Sequence, residues 1–229
     1  MASTSLTAIG EEPSIYDLIS TSDQMVRIYI GSTKKHNSSW LLHESVLCYH
    51  CPYFKSVFRG NFLESTTKES HLPDDDPLTF SYVVNYLYGS LLKCDCHLKS
   101  TSHYPHRVTW IKVFILANKL LMYNLENAAL RRYQDCHALG KPLPSISEIE
   151  EIYNEHTPPG CYLRDYVELR FSRVFFEDWD NHKVAWMQVV TSNEELLEAV
   201  MQRIRSHQQL GNYTSCRYKK CNVHWVMAV

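Results

Sequence analysis

The side chains able to do chemistry in this 229-residue chain are mostly among its 8 cysteines and 12 histidines, and they fall into small groups. Cys94, Cys96, His97, His103 and His106 crowd one polar segment, and four of them at suitable distances would make a structural zinc site. Cys216, Cys221 and His224 near the C-terminus have the spacing of half a zinc knuckle, with His207 as a candidate fourth ligand. The plainer reading of both segments is exposed polar chain. Cys48-x-x-Cys51 has a redox spacing, but it falls inside a helical pattern with no positive partner, so it reads as a pair of core thiols. Asp74-Asp75-Asp76 could pass for paired catalytic carboxylates; directly before Pro77 and an apolar helix, they suit the positive end of a helix dipole. His43 has no serine or cysteine nucleophile identifiable beside it.

Other chemistries lack their frames. The seven glycines are too dispersed for a phosphate-cradling loop or a nucleophile elbow, and His43-Glu44 does not continue into a zinc-hydrolase motif. With 23 Lys and Arg against 25 Asp and Glu, no half of the chain is basic, which disfavours nucleic-acid binding. The one basic and aromatic strip, Tyr213, Arg217, Tyr218, Lys219, Lys220 and Trp225, reads first as a solvated tail. No stretch has the roughly 18 uninterrupted apolar residues of a membrane span, and Met1 to Ser14 lack signal-peptide character, so cytoplasm or nucleus is expected, with reduced cysteines and no cofactor beyond a possible structural zinc.

The elements that must position these groups are readable in outline. Ile15, Tyr16, Leu18 and Ile19 predict a short amphipathic leader helix. Met25 to Ile30 and Trp40 to Leu42 predict a hairpin across a polar turn. Two short helices should meet at Pro52, and Asp76-Pro77 should open a helix buried through Phe80, Val83, Val84 and Leu87. The run Thr109 to Leu121 predicts an interior helix, followed by one capped by Asn124 with Leu125, Ala128 and Ala129 inward. Beyond Gly140 to Pro144 the pattern is helical throughout. Ser145-x-x-Glu148 and Ser192-x-x-Glu195 mark two helix starts, and Leu197, Val200, Met201 and Ile204 form the expected inner face of the last helix. Early strands and late helices argue for an α+β fold.

Residues 22 to 130 carry a further signal. Asp23 to Gly31, Leu42-His43-Glu44-Ser45-Val46-Leu47, Cys51-Pro52-Tyr53-Phe54, Phe58 to Ser65, Leu72 to Asp76, Tyr86-Leu87-Tyr88-Gly89 and Leu116 to Leu130 follow one another in the order of the BTB/POZ domain. The sequence resembles that family, in particular the divergent stand-alone BTB proteins of filamentous fungi, with Cys51 where the family usually has serine and a longer Leu91 to His106 segment. The resemblance implies a small mixed sheet flanked by short helices, divided here into a leader (1–21), a BTB/POZ domain (22–140) and an all-helical C-terminal extension (141–229). It implies a non-enzymatic interaction module that pairs with itself or another BTB protein, with Ile15, Tyr16, Leu18, Met25 and Ile28 at the dimer seam. Phe62 and Glu64 resemble the element by which BTB adaptors dock a cullin scaffold, making a ubiquitin-ligase substrate adaptor the finer expectation. The alternative is a zinc-stabilised, nucleic-acid-associated regulatory protein that uses Cys94, Cys96, Cys216, Cys221 and His224.

Overall fold

The computed structural model describes residues 13–20, 22–32, 38–90, 92, 104–138 and 143–210. Two compact units result, one of residues 1–92 with 120–122 and one of residues 93–119 with 123–229. The helices just before residue 140 group with those that follow.

The first unit begins with α1 (Ile15–Ser20), started by a reciprocal cap: Asp17 N–H donates to Ser14 Oγ at 3.2 Å, and Ser14 N–H donates to the Asp17 carboxylate at 3.0 Å. β1 (Met25–Ile30) and β2 (Ser38–His43) form the expected antiparallel hairpin, with Ile28 opposite Trp40. α2 (Glu44–His50) and α3 (Pro52–Arg59) meet at Cys51, because Pro52 has no N–H to continue α2 yet suits the first turn of α3. α4 (Leu63–Thr67) ends at Lys68, whose φ of 58° turns the chain into β3 (Glu69–Leu72). β3 lies parallel to β1, giving the order β2-β1-β3. Sequence patterning missed β3: four residues with Ser and His in them carry too little β-branched character to read as a strand. α5 (Pro77–Leu87) starts at Asp76, whose carboxylate accepts from Thr79 N–H at 2.8 Å.

Alternation on the central strand decides where the core lies. Val26, Ile28 and Ile30 are buried, while Met25, Arg27 and Tyr29 occupy the other face, half-buried. The buried set packs in a core with Leu47, Phe54, Phe58, Phe80 and Leu87, each worth roughly 1.5–3 kcal/mol of apolar burial.

The second unit is helical throughout its described residues. α6 (Tyr104–Lys119) packs along α7 (Tyr123–Ala138), and α8 (Ile146–Ile152) packs on α6. α9 (Tyr162–Glu177), α10 (Trp179–Val190) and α11 (Glu194–Leu210) follow, with α9 against both others. The Ser145 capping box is complete, with the bonds of Ser145 and Glu148 both present. Asn124 does not cap α7, which already begins at Tyr123, and Asn193 caps α11 in place of Ser192, accepting from Leu196 N–H at 2.9 Å. The buried face of α11 is accordingly Leu196, Val200 and Ile204, with Met201 exposed. The burial of α10 rests on few positions, Trp186, Val189 and Val190.

Candidate interaction surfaces

Two apolar features of the first unit are held in place without being covered. α1 buries none of its residues, and Tyr16 is 79% exposed. The helix is nonetheless anchored. Ser45 Oγ donates to the Leu18 carbonyl at 2.6 Å, and Ile15 sits so close to Gly89 that a Cβ there would lie 2.8 Å from Ile15 Cδ1. Gly89, with φ of +72°, is therefore needed twice, for its backbone and for its bareness. Of the residues expected at a dimer seam, Ile15 and Leu18 are half-buried and Met25 is half-buried on the outer face of the sheet. Ile28 is fully buried and three residues from Met25, hence on the opposite face of β1, turned into the core of the unit.

The second feature is the segment before α4. Phe62 is 60% exposed and Leu63 76%, while Glu64 is half-buried in the first turn of α4. The Phe62 ring lies over Gly60, where a Cβ would collide with the Ser56 carbonyl and press on the ring at 3.1 Å. Ser65 Oγ donates to the Phe62 carbonyl at 2.7 Å, and Lys68 Nζ pairs with the Glu44 carboxylate at 2.8 Å, fixing both ends of α4. An aromatic ring, a leucine and a carboxylate are thus presented together on a braced turn.

The candidate chemical groups are spent on structure. The His43 imidazole Nδ1 lies 3.0 Å from Tyr88 hydroxyl, which also accepts from His43 N–H at 3.2 Å. Cys48 and Cys51 are buried. Burial pushes both thiols up, Cys51 to about 12, and Cys51 Sγ donates to the Leu120 carbonyl at 3.3 Å. Neither is a thiolate at neutral pH, which removes the redox reading of the pair. Asp76 is a helix cap. Cys94, Cys96, His97, His103, Cys216, Cys221 and His224 lie outside the described residues, as does the side chain of His207. Among the described residues no group of three or more metal-type ligands comes together, and no helix is long and apolar enough to cross a membrane.

Sequence reasoning missed the polar interior of the second unit. Arg107, His137 and Glu148 are all buried there, from α6, α7 and α8. Arg107 Nε lies 3.3 Å and His137 Nε2 3.4 Å from Glu148 Oε1, while Arg107 Nη1 is 3.2 Å from His137 Nδ1. Glu148 Oε2 accepts from Ser145 N–H and Ser145 Oγ, both at 2.8 Å. Burial pushes the Glu148 carboxyl up, but His137, Ser145 and Arg107 together outweigh it and hold it below the usual carboxylate range. Elsewhere in the unit Arg164 pairs with Glu195, caps the carbonyls of Ile152, Asn154 and Thr157, and stacks 4.7 Å over the Tyr153 ring. Arg203 bridges Asp165 and Glu168, tying α11 to α9.

No curated protein matches the chain. Residues 26–131 match the family model of the BTB/POZ domain, from the start of the sheet to the middle of α7. The mixed three-stranded sheet with its short helices has the architecture of that family, and a helical region follows it in the chain. Residues 26–131 are therefore a BTB/POZ domain, a fold whose usual role is non-catalytic protein–protein interaction.

Proposed function

We propose that this protein acts by pairing, with a second copy or with another BTB protein, through the face that carries α1 and the outer side of β1. The observation that carries this reading is α1 itself: a capped, anchored helix with none of its apolar residues buried. A six-residue helix is too short to be stable alone, so its order depends on what it packs against. Covering Ile15, Tyr16, Leu18 and Met25 with a partner would add apolar burial at roughly 25 cal/mol per Å². Light scattering on the full chain tests it. A mass near twice 26.8 kDa that falls to one copy when Ile15, Tyr16 and Leu18 become Ser supports the reading, and a wild-type monomer at tens of micromolar overturns pairing with a second copy.

A finer role is supported by the Phe62 turn. We infer that Phe62 and Glu64 dock a cullin scaffold, with the helical C-terminal region holding the substrate of the ligase. An exposed aromatic beside a carboxylate on a braced turn has the shape such an anchor needs, a ring to fill a pocket and a charge to fix its orientation. Replacing Phe62 and Glu64 with Ala should abolish cullin pull-down with the circular dichroism spectrum unchanged; undiminished capture sinks the role.

A further inference from the structure

The interior of the second unit is electrically neutral only while His137 is neutral. Arg107 brings one positive charge and Glu148 one negative, and both side chains are essentially inaccessible to water. The imidazole lies against both: its Nε2 is 3.4 Å from Glu148 Oε1, and Arg107 Nη1 is 3.2 Å from its Nδ1 and 3.4 Å from its Nε2. A guanidinium can only donate, so the nitrogen nearest it must offer a lone pair, which leaves the imidazole proton on Nε2, facing the carboxylate. In that state the imidazole offers a lone pair to Arg107 and a proton to the Glu148 carboxylate. We propose that Arg107, His137 and Glu148 form a proton-operated latch, in which a neutral imidazole bridges the buried ion pair and its protonation releases α6, α7 and α8 from one another.

Protonation puts an N–H where Arg107 already points one, and it leaves a net positive charge in a dry interior. The surroundings do not relieve it. Tyr133, one turn earlier on α7, and Tyr166 on α9 meet the imidazole edge-on at 4.7 and 6.2 Å between ring centroids and carry no charge. Arg170 on α9 adds a second repulsive cation. The groups favouring the imidazolium are Glu148, already shared with Arg107, and the carbonyl end of α7 one residue on. Burial holds His137 below the usual histidine range, assisted by Arg107 and Arg170 and opposed by its bond to Glu148. The sign follows. A histidine depressed in the folded state contributes stability that is complete above its ordinary value of 6.5 and is lost as pH falls through its folded value, since only the unfolded chain takes the proton in between. Glu148, also depressed, adds loss of the same sign, but only below its ordinary 4.5. Mild acid therefore acts through His137 and strong acid through both. The latch is independent of the pairing and scaffold readings, because its parts all lie in the second unit.

Amide hydrogen exchange on the full chain, corrected for intrinsic rate, reads the device region by region at about pH 7.5 and about pH 5.5. Protection of α6, α7 and α8 should fall several-fold at the lower pH while that of β1 and α3 holds. His137→Gln keeps a donor for Glu148 and an acceptor for Arg107 without a titrating group, so its helices should stay protected at both values. Wild-type protection of α6 to α8 that does not change with pH, or equal loss in the Gln variant, overturns the latch. If the variant does not fold, the imidazole titration by NMR, assigned through its contacts with Tyr133 and Tyr166, decides: a midpoint below 6.5 supports the latch and one at or above it overturns it.

Discussion

The two units solve the burial problem differently. In the first, the buried polar side chains among the described residues are three hydroxyl groups, those of Ser45, Ser70 and Thr79, set among Val26, Ile28, Ile30, Phe54, Phe58 and Phe80. In the second, Arg107, Glu126, His137, Glu148 and Arg164 share the interior with Trp110, Phe114, Phe171 and Val200. A core of the first kind gains stability in many small increments, each nearly independent of pH. A core of the second kind depends on matched charges, where each group is costly alone and acceptable only with its partner. The first unit should therefore tolerate acid and yield gradually to truncation, and the second should respond sharply to loss of a single charge.

The largest expected effect follows from that difference. Glu148→Ala strands the Arg107 guanidinium in a dry core and should destabilise the second unit by about 3–5 kcal/mol. Urea unfolding followed by tryptophan fluorescence suits the measurement, because Trp110, Trp179 and Trp186 all lie in that unit. Exchanging Arg107 for Met and Glu148 for Leu together should recover part of the loss, since no charge is left stranded although His137 and Ser145 lose their partners. A single-variant loss under about 1 kcal/mol would show that water reaches Arg107 and would erase the distinction between the units.

Next in size is Ile28→Ala in the first unit, expected to cost about 3 kcal/mol through the cavity it leaves in the sheet's inner face. The cost should be the same at about pH 7.5 and about pH 5.5, because no titrating group takes part. Urea midpoints at the two values check this. A cost that changes with pH would mean that the first unit also relies on buried charge. The same variant separates core from seam: light scattering at low denaturant should find its self-association unaltered.

What the sequence made legible, and what it did not, divides along similar lines. The hairpin, the meeting of two helices at Pro52, and the caps at Asp76 and Ser145 were readable because each is set by local chemistry within a few residues. β3 was not, because a four-residue strand is specified by its partner β1 rather than by its own composition. α11 was found but turned by one residue, since Asn193 competes with Ser192 as cap and Leu196 with Leu197 for the core. The exposed Phe62 turn came from motif order, while one brace that holds it, the Glu44–Lys68 pair, is a contact distant in sequence. The buried triad left a signal that composition-based expectation discounts. Arg107 stands three and four residues before Trp110 and Ile111 on α6, and His137 four and seven beyond Tyr133 and Leu130 on α7. Helical spacing alone puts both on the inner face, and only the rarity of buried charge argues otherwise.

The smallest effects sharpen the comparison most finely, because side-chain caps open helices in both units. Asp76→Ala removes the acceptor for Thr79 N–H and Thr79 Oγ at the start of α5, and should cost about 1 kcal/mol. Ser145→Ala looks equivalent, since Ser145 Oγ accepts from Glu148 N–H at 3.4 Å. Yet Ser145 Oγ also donates to Glu148 Oε2 at 2.8 Å, holding the carboxylate that faces Arg107 and His137. Losing it should cost about 2 kcal/mol, the second half reaching the buried charges rather than the helix end. Thermal unfolding of the two variants, each compared with wild type, decides between a cap that serves only its helix and one that also serves the interior. Equal losses would confine the Ser145 hydroxyl to the first role, leaving Arg107, His137 and the Ser145 N–H to hold Glu148.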